Sequence, residues 1–204
     1  KKEILGIEQD ELRDRLLSGY RHVLVDEYQD IDEDQYALIS AIAGRTEQES
    51  ESKLTILAVG DDDQNIYTFR GANVKFIRQF SNDYAAKTHY LVENYRSTAN
   101  IISASNSLIR HNNDRMKRDR EISIDSRRAG DKPGGLWDSR DPVFRGCVQV
   151  IGVKDECEQT SALLSELHRL RELDPSLRWS DCAVLAPTRE ALSPIRSLCE
   201  HISI

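Results

Sequence analysis

Residues 22–30 read HVLVDEYQD, a short and mostly apolar run that ends in two adjacent carboxylates, Asp26 and Glu27. Apolar runs of this kind are typical of strands that are buried on both faces of a parallel sheet. Ligands of open parallel sheets bind at the carboxyl ends of the strands, so acids at this position predict a ligand site. Acids also end strands as turn formers, and this stretch alone leaves both interpretations open.

Strands and helices are predicted to alternate along the rest of the chain. The predicted strands cover residues 22–25, 54–61, 87–94, 147–153 and 182–187; helices are predicted over 8–18, 73–84 and 156–173, after the caps Asp32 and Ser97, and from Thr188. This alternation predicts an α/β fold with a parallel sheet, in two units, 1–94 and 95–204. Residues 112–146, which include KPGG, predict a long irregular connection.

Composition is that of a globular protein with one large or two small domains. Of the 204 residues, 39% are hydrophobic and 31% are charged. No apolar run approaches the roughly 18 residues of a membrane helix, and the start, KKEILGIEQDELRDRLL, lacks the features of a secretory signal. Four cysteines without CxxC or zinc-type histidine spacing predict reduced thiols. We therefore expect a cytoplasmic protein without a membrane partner.

Charge is distributed unevenly along the chain. The formal net charge is −7, which argues against a general nucleic-acid coat. Residues 1–63 hold 7 basic and 17 acidic side chains, whereas residues 110–128 hold 7 basic and 4 acidic ones. The later segment is either a solvated loop of mixed charge or a segment that attracts phosphate.

A second candidate segment, GDDDQNIYTFRGA at 60–72, follows the next predicted strand. The amide of Gln64 can hydrogen-bond a phosphate oxygen or an attacking water without adding charge. Tyr67 and Phe69 can stack on unpaired bases, which is worth about 1 to 3 kcal/mol per base. The alternative is that both rings belong to the core and that Arg70 pairs with a nearby acid.

The third candidate segment is VENYRST at 92–98. An arginine at a domain boundary, here Arg96, can contact a phosphate as an arginine finger and contribute about a thousandfold to phosphoryl transfer. Tyr95 beside it can stack on a base or pack in the core. Taken alone, an arginine at this position more often forms a surface ion pair.

Together and in this order, LVDEYQD, VGDDDQNIYTFRGA and ENYRST resemble motifs II, III and IV of the UvrD/Rep family of superfamily 1 DNA helicases. Gln64 lies 38 residues after Asp26 and Arg96 lies 32 after Gln64, which suits that family. The resemblance covers roughly residues 10–111 and continues more loosely in CAVLAPTREALSPIRSLCE. It implies parts of two RecA-like (P-loop NTPase) motor domains, which use ATP and Mg²⁺ to translocate on single-stranded DNA and unwind duplex junctions.

The resemblance also implies roles for individual residues at the ATP site. Asp26 would bind the Mg²⁺ of MgATP, Glu27 would act as the base or orient the hydrolytic water, and Gln64 would sense the γ-phosphate. Tyr95 would stack on the adenine, and Arg96 would be the arginine finger.

A second set of implied roles concerns DNA. Tyr67 and Phe69 would face single-stranded DNA, and Arg70 would link that surface to the ATP site. Phe69 stands where the family usually has Trp, so base stacking there is expected to be somewhat weaker.

The sequence also departs from the family pattern. It contains no GxxxxGK[ST], the motif that cradles phosphates, and it ends before the family's last two motifs. We therefore expect a central fragment that joins the rest of a helicase chain and does not hydrolyse ATP by itself. Two other interpretations stay open: a two-metal nuclease built on Asp26, Glu27, Asp30, Asp61 and Asp62, and a non-catalytic helicase-like module that binds DNA or protein.

Overall fold

The computed structural model describes residues 15–47 and 53–201. Its strands are β1 (His22–Val25), β2 (Thr55–Ala58), β3 (Glu93–Asn94) and β4 (Ser123–Ile124), and its helices are α1 (Glu33–Ala43), α2 (Lys75–Asp83), α3 (Ala99–Ile109), α4 (Trp137–Arg140), α5 (Glu156–Leu173) and α6 (Ser193–His201). The chain forms two compact units. The first holds Lys1–Leu91 and Ile109–Glu121, and the second holds Val92–Leu108 and Ile122–Ile204.

In the first unit, β1 and β2 form a parallel pair, with His22 opposite Thr55 and Val25 opposite Ala58. The pairing continues past the strand ends, because the Val59 amide donates to Val25 and the Tyr28 amide donates to Val59. The segments that follow both strands therefore lie at the same edge of this small sheet.

The core of the first unit is built around Tyr28, Ile31 and Phe76, which are all buried. The Tyr28 ring meets Phe80 edge-on with 5.1 Å between ring centroids, and Tyr36 stacks on Phe76 at 4.3 Å. Tyr28 of the opening stretch is thus a core residue, and it anchors the turn that follows the two acids at the end of β1.

Helix α1 begins at a capping box, as Asp32 led us to predict. The Asp32 side chain accepts from the Gln35 amide, and the Gln35 side chain accepts from the Asp32 amide. Gly44 ends the helix in the left-handed region at φ 71°. These local signals depend on few residues, which is why the sequence located this helix well.

The other helices agree with the prediction to different degrees. Helix α5 has the predicted bounds, whereas α2 is shorter than predicted at both ends. Helix α6 starts at Ser193 rather than at Thr188, because residues 190–192 form a separate 3₁₀ turn. The predicted helix over 8–18 lies mostly outside the described residues. None of the described helices is long and apolar enough to cross a lipid bilayer.

Four strand predictions are wrong in whole or in part. The strand predicted over 54–61 is shorter and covers Thr55–Ala58. Of the strand predicted over 87–94, only Glu93–Asn94 pairs, with Ser123–Ile124 in parallel, and residues 147–153 and 182–187 form no strand within the described parts of the chain. Val150 is 97% exposed and Leu185 is 91% exposed. Alternating apolar residues fit a strand, but a strand also needs a hydrogen-bonded neighbour, and these segments have none among the described residues.

The fold class observed is therefore mixed α/β with two small parallel pairs. This is compatible with the predicted parallel sheet, and the complete RecA-like sheet stays a prediction. Residues 112–146 are not uniformly irregular, since they contain β4, the 3₁₀ turn Ser126–Arg128 and α4.

Candidate active site

The backbone of Glu27 is strained at the end of β1. Its φ of 51° and ψ of 42° lie in the left-handed region, which costs a non-glycine residue about 1 to 3 kcal/mol. Its amide donates to Oδ1 of Asp26 at 2.9 Å, and both side chains are exposed. Such strain is concentrated at functional sites, and here it coincides with the residue predicted to be the catalytic base.

Gln29 connects the ends of the two strands. It is 1% exposed, and its Nε2 donates to Oε2 of Glu27 at 2.7 Å, while its Oε1 accepts from the Asp61 amide at 3.0 Å. Gln29 is a residue that the sequence did not lead us to predict. The available signal was an amide two residues after Glu27 and next to an aromatic residue, since an amide buried beside such a ring needs polar partners.

The loop after β2 holds Gln64 through Asp61. Oδ1 of Asp61 accepts from the Asp63 amide at 3.0 Å, and its Oδ2 accepts from Nε2 of Gln64 at 2.9 Å. A continuous series of hydrogen bonds therefore runs from Glu27 through Gln29 and Asp61 to Gln64, all within the first unit. Two of the side chains predicted to act on ATP are linked in this way.

The acids of this loop accept hydrogen bonds from residues 115–117. Oδ1 of Asp61 accepts from Nζ of Lys117 at 2.5 Å. The carboxylate of Asp63 accepts hydrogen bonds from Nε of Arg115 at 2.9 Å and from one of its Nη atoms at 2.7 Å. Asp62 accepts one from the Met116 amide at 2.8 Å. Lys117 is 9% exposed, so this part of the basic segment is not the solvated loop that we considered from sequence.

Electrostatics at Asp61 follow from these contacts. Burial alone raises the pKa of the Asp61 carboxyl, but hydrogen bonds from Lys117 and Gln64 outweigh it and hold that pKa below its ordinary value. The carboxylates of Asp61, Asp62 and Asp63 lie within 4.8 Å of one another, and Arg78 adds a further contact to Asp62 at 3.5 Å. Because protein cations already balance these charges, the arrangement gives little support to a two-metal nuclease site at Asp61 and Asp62.

The aromatic side chains of the same loop lie at the surface. Phe69 is 78% exposed and Tyr67 is 38% exposed, so the alternative that both rings belong to the core is wrong. The ring centroids are 6.0 Å apart, and the Arg70 guanidinium carbon lies 5.4 Å from the Tyr67 centroid and 5.6 Å from that of Phe69. These three side chains form one exposed cluster with flat faces and a positive charge, which suits a base and a phosphate.

Tyr95 and Arg96 belong to the second unit. The Tyr95 hydroxyl donates to Glu93 at 3.0 Å, which raises the pKa of the Tyr95 phenol, and the Arg127 guanidinium carbon lies 5.6 Å from the ring centroid. The Arg96 amide donates to Asn94 at 2.9 Å. Its exposed guanidinium forms no hydrogen bond or ion pair with any described residue, so the surface ion pair considered for it is not observed there.

The groups around β1 fit a magnesium nucleotide in their chemistry. Asp26 offers an exposed carboxylate of which one oxygen accepts from Glu27, and hard carboxylate oxygens are the ligands that Mg²⁺ prefers. Gln64 is exposed and can exchange its bond to Asp61 for one to a phosphate.

Comparison with known proteins agrees with this chemistry. Residues 3–85 match the family model of the UvrD/REP helicase N-terminal domain. DNA helicase II of Haemophilus influenzae is 45% identical over 102 residues, which are 50% of this chain and 13% of that protein. DNA helicase II of Escherichia coli K12 is 47% identical over 106 residues, 50% of this chain and 14% of the relative.

A longer match covers more of the chain. The ATP-dependent DNA helicase PcrA of Leuconostoc citreum is 34% identical over 175 residues, which are 85% of this chain and 20% of that protein. The chain thus spans a fifth or less of the length of these relatives.

Proposed function

Because this chain belongs to the UvrD-like superfamily 1 helicases, we propose that it forms part of an ATP-dependent DNA helicase. The helicase translocates on single-stranded DNA and unwinds duplex junctions by coupling ATP hydrolysis to motion of two RecA-like motor domains. The first unit is part of one motor domain, and the second unit is part of the other. A cytoplasmic place of action at the nucleoid belongs to the same proposal, since the DNA substrate lies there.

The observation that carries this proposal is the hydrogen-bonded series from Glu27 to Gln64 at the carboxyl ends of β1 and β2. Phosphoryl transfer needs a group that takes or orients the proton of the attacking water and a group that contacts the γ-phosphate. Glu27 takes the first role and Gln64 the second. Asp26 binds the Mg²⁺ of MgATP, which offsets the charge that develops on the phosphate oxygens.

Two residues of the second unit complete the nucleotide chemistry. Arg96 has no described partner for its guanidinium and is available to a phosphate as the arginine finger. Tyr95, which is 60% exposed, stacks on the adenine.

Single-stranded DNA binds the exposed cluster of Tyr67, Phe69 and Arg70. Stacking tolerates every base, because each base has a flat π-face, and this suits translocation without sequence preference. The charge of Arg70, whose guanidinium carbon lies 5.4 Å and 5.6 Å from the two ring centroids, adds attraction to the phosphate backbone.

The test uses the full-length protein encoded by the gene, because these 204 residues contain no GxxxxGK[ST] and we do not expect them to hydrolyse ATP alone. The wild type should hydrolyse ATP faster when single-stranded DNA is added. Glu27→Gln should lower kcat by about 10² to 10⁴, the usual contribution of a general base.

Glu33→Gln is the matched control, since Glu33 is an exposed acid in the first turn of α1, and it should leave kcat unchanged. Near-normal turnover in Glu27→Gln contradicts the role of the base. A wild-type protein that binds DNA but hydrolyses no ATP favours the non-catalytic module instead.

A further inference from the structure

We propose that Gln29 and Lys117 are positioning residues, which hold the base Glu27 and the phosphate-contacting Gln64 in one fixed arrangement. The inference rests on the proposed ATPase function and concerns two residues that touch neither water nor nucleotide in that scheme. Gln29 acts through its bonds to Glu27 and to the loop after β2, and Lys117 acts through its bond to Asp61 of that loop.

Both donors of the Gln29 side chain and its oxygen have hydrogen-bond partners. Nε2 donates to Glu27 and, at 3.2 Å, to Asp30, while Oε1 accepts from the Asp61 amide. Its backbone carbonyl also accepts from Nδ2 of Asn65 at 2.6 Å, so a second bond ties it to the loop that carries Gln64. A buried amide group without hydrogen-bond partners destabilises the folded state by about 1 to 3 kcal/mol, so the Gln29 side chain is held in this one conformation.

The space around Gln29 is also closed. A Cβ added at Gly60 would lie 2.6 Å from Oε1 of Gln29 and 2.9 Å from Cδ1 of Ile77. Only a hydrogen fits at this point between the strand end and the amide. The close approach of Gly60 therefore sets the distance between the two strand ends to which Gln29 binds.

Lys117 holds the other end of the series. Its ammonium group contacts Oδ1 of Asp61 at 2.5 Å and lies 3.6 Å from Oδ2 of Asp63. Oδ2 of Asp61 is thereby left to receive the amide of Gln64. A lysine that is 9% exposed is rare without a charged partner, because desolvation of an ammonium group is costly.

Removing the ammonium group should loosen Gln64 more than it loosens the rest of the unit. The Asp61 carboxylate would keep two neutral donors, the Asp63 amide and the Gln64 side chain, and the Asp61 amide would still donate to Oε1 of Gln29, but the carboxylate would lose its counter-charge. Arg115 would still bind Asp63 through two nitrogens and would keep the loop attached. The expected defect is therefore in how Gln64 meets the γ-phosphate.

The experiment measures nucleotide binding as well as turnover in the full-length protein with Mg²⁺. The readout is the ratio of the Kd for ADP to the Kd for AMPPNP, a non-hydrolysable analogue that has the γ-phosphate. Lys117→Met should reduce this ratio about tenfold, the worth of one hydrogen bond to a charged group, and leave the ADP affinity within about twofold. KM for ATP should rise in step with the Kd for AMPPNP, because both nucleotides lose the contact to the γ-phosphate, and kcat should fall as well.

Controls separate positioning from a general loss of structure. Arg118→Met changes an exposed neighbouring cation and should leave ratio, kcat and melting temperature unchanged. Lys117→Arg keeps the charge and should retain most of the wild-type ratio. If Lys117→Met yields no folded protein, Lys117→Gln keeps a donor without the charge and serves as the test variant.

Gln29 is tested through its bond to Glu27. Gln29→Glu keeps an acceptor for the Asp61 amide but removes the donor to Glu27, so kcat should fall at least tenfold while the ADP affinity stays near that of the wild type.

Gln64→Ala separates the proposed contact of Gln64 with the γ-phosphate from the proposed positioning role of Lys117. If it leaves the ratio unchanged, the proposed role of Gln64 fails. If Gln64→Ala lowers the ratio and Lys117→Met, or Lys117→Gln in its place, does not, the positioning role of Lys117 is overturned. If the proposed roles of Gln64 and Lys117 are both correct, the double variant Lys117→Met/Gln64→Ala should have the same ratio as Gln64→Ala, because the two substitutions remove the same contact to the γ-phosphate.

Discussion

At the scale of single residues, the candidate site combines exposed acids with one buried amide. Asp26 and Glu27 are exposed, whereas Gln29 is 1% exposed and its side chain is hydrogen-bonded at both ends of the amide. The groups that would meet water and nucleotide are therefore at the surface, and the group that fixes them is inside. This division explains why a strained backbone at Glu27 persists, since the neighbours Tyr28 and Gln29 are held by core packing and hydrogen bonds.

A substitution at Gly60 tests the closed space beside Gln29. Gly60→Ala should destabilise the protein by about 1 to 3 kcal/mol, because its Cβ would lie 2.6 Å from Oε1 of Gln29. Gly130→Ala is the control, since nothing lies within 4 Å of a Cβ at that position and its φ is not positive. Denaturant unfolding measures both, and equal stabilities for the two variants would contradict the close packing.

Phe69 tests the exposed aromatic cluster. Phe69→Ala should weaken binding of single-stranded DNA by about 1 to 3 kcal/mol, the value of one stacked base, without changing nucleotide affinity. Tyr20→Ala removes another exposed aromatic ring from the first unit and should leave DNA affinity unchanged. Fluorescence anisotropy with an oligonucleotide measures the affinities, and equal effects of the two changes would argue against a specific stacking site.

At the scale of elements, helices and strands differ in what determines them. Helix α1 is specified by Asp32, Gln35 and Gly44, which are all at or near its own ends. The pairing of β1 with β2 joins residues more than thirty positions apart, such as His22 and Thr55. Short-range signals were therefore sufficient for the helices, but the strands over 147–153 and 182–187 could not be judged without their neighbours.

The capping box of α1 can be tested directly. Asp32→Ala should cost about 1 kcal/mol of folding free energy, because the Gln35 amide at the helix start loses its side-chain acceptor. Asp32→Asn keeps a good capping oxygen and should cost only a few tenths of that value. Thermal unfolding of both variants checks the difference, and a loss in Asp32→Asn as large as in Asp32→Ala would rule out the cap as the cause.

At the scale of the whole molecule, buried ion pairs make stability depend on pH. Hydrogen bonds from Arg169 lower the pKa of Asp141 and of Glu166 in the second unit. A carboxyl whose pKa is lower in the folded state stabilises the protein above its unfolded value of about 4, and this contribution is lost as pH falls through the folded value. The same sign holds for Asp61 in the first unit.

Substitution of Arg169 tests this pH dependence of the free energy of unfolding. Arg169→Met should destabilise the protein at pH 7, and the difference from wild type should shrink below about pH 4, because both proteins then carry protonated carboxyls. Arg196→Met breaks an exposed pair with Glu200 and should cost little at any pH. Urea unfolding between pH 2.5 and about 7 is the measurement, and a difference that stays constant with pH would contradict the assignment.

The sequence by itself determined which chemical groups end the two strands of the first unit and where most helices lie, because both follow from short-range patterns. Only the tertiary structure decided which of these groups are linked. Asp61 and Lys117 are 56 positions apart, and Gln29 and Asp61 are 32 apart. Burial and charge pairing across such distances depend on how the chain folds, since desolvation and Coulomb attraction act between neighbours in space and not in sequence.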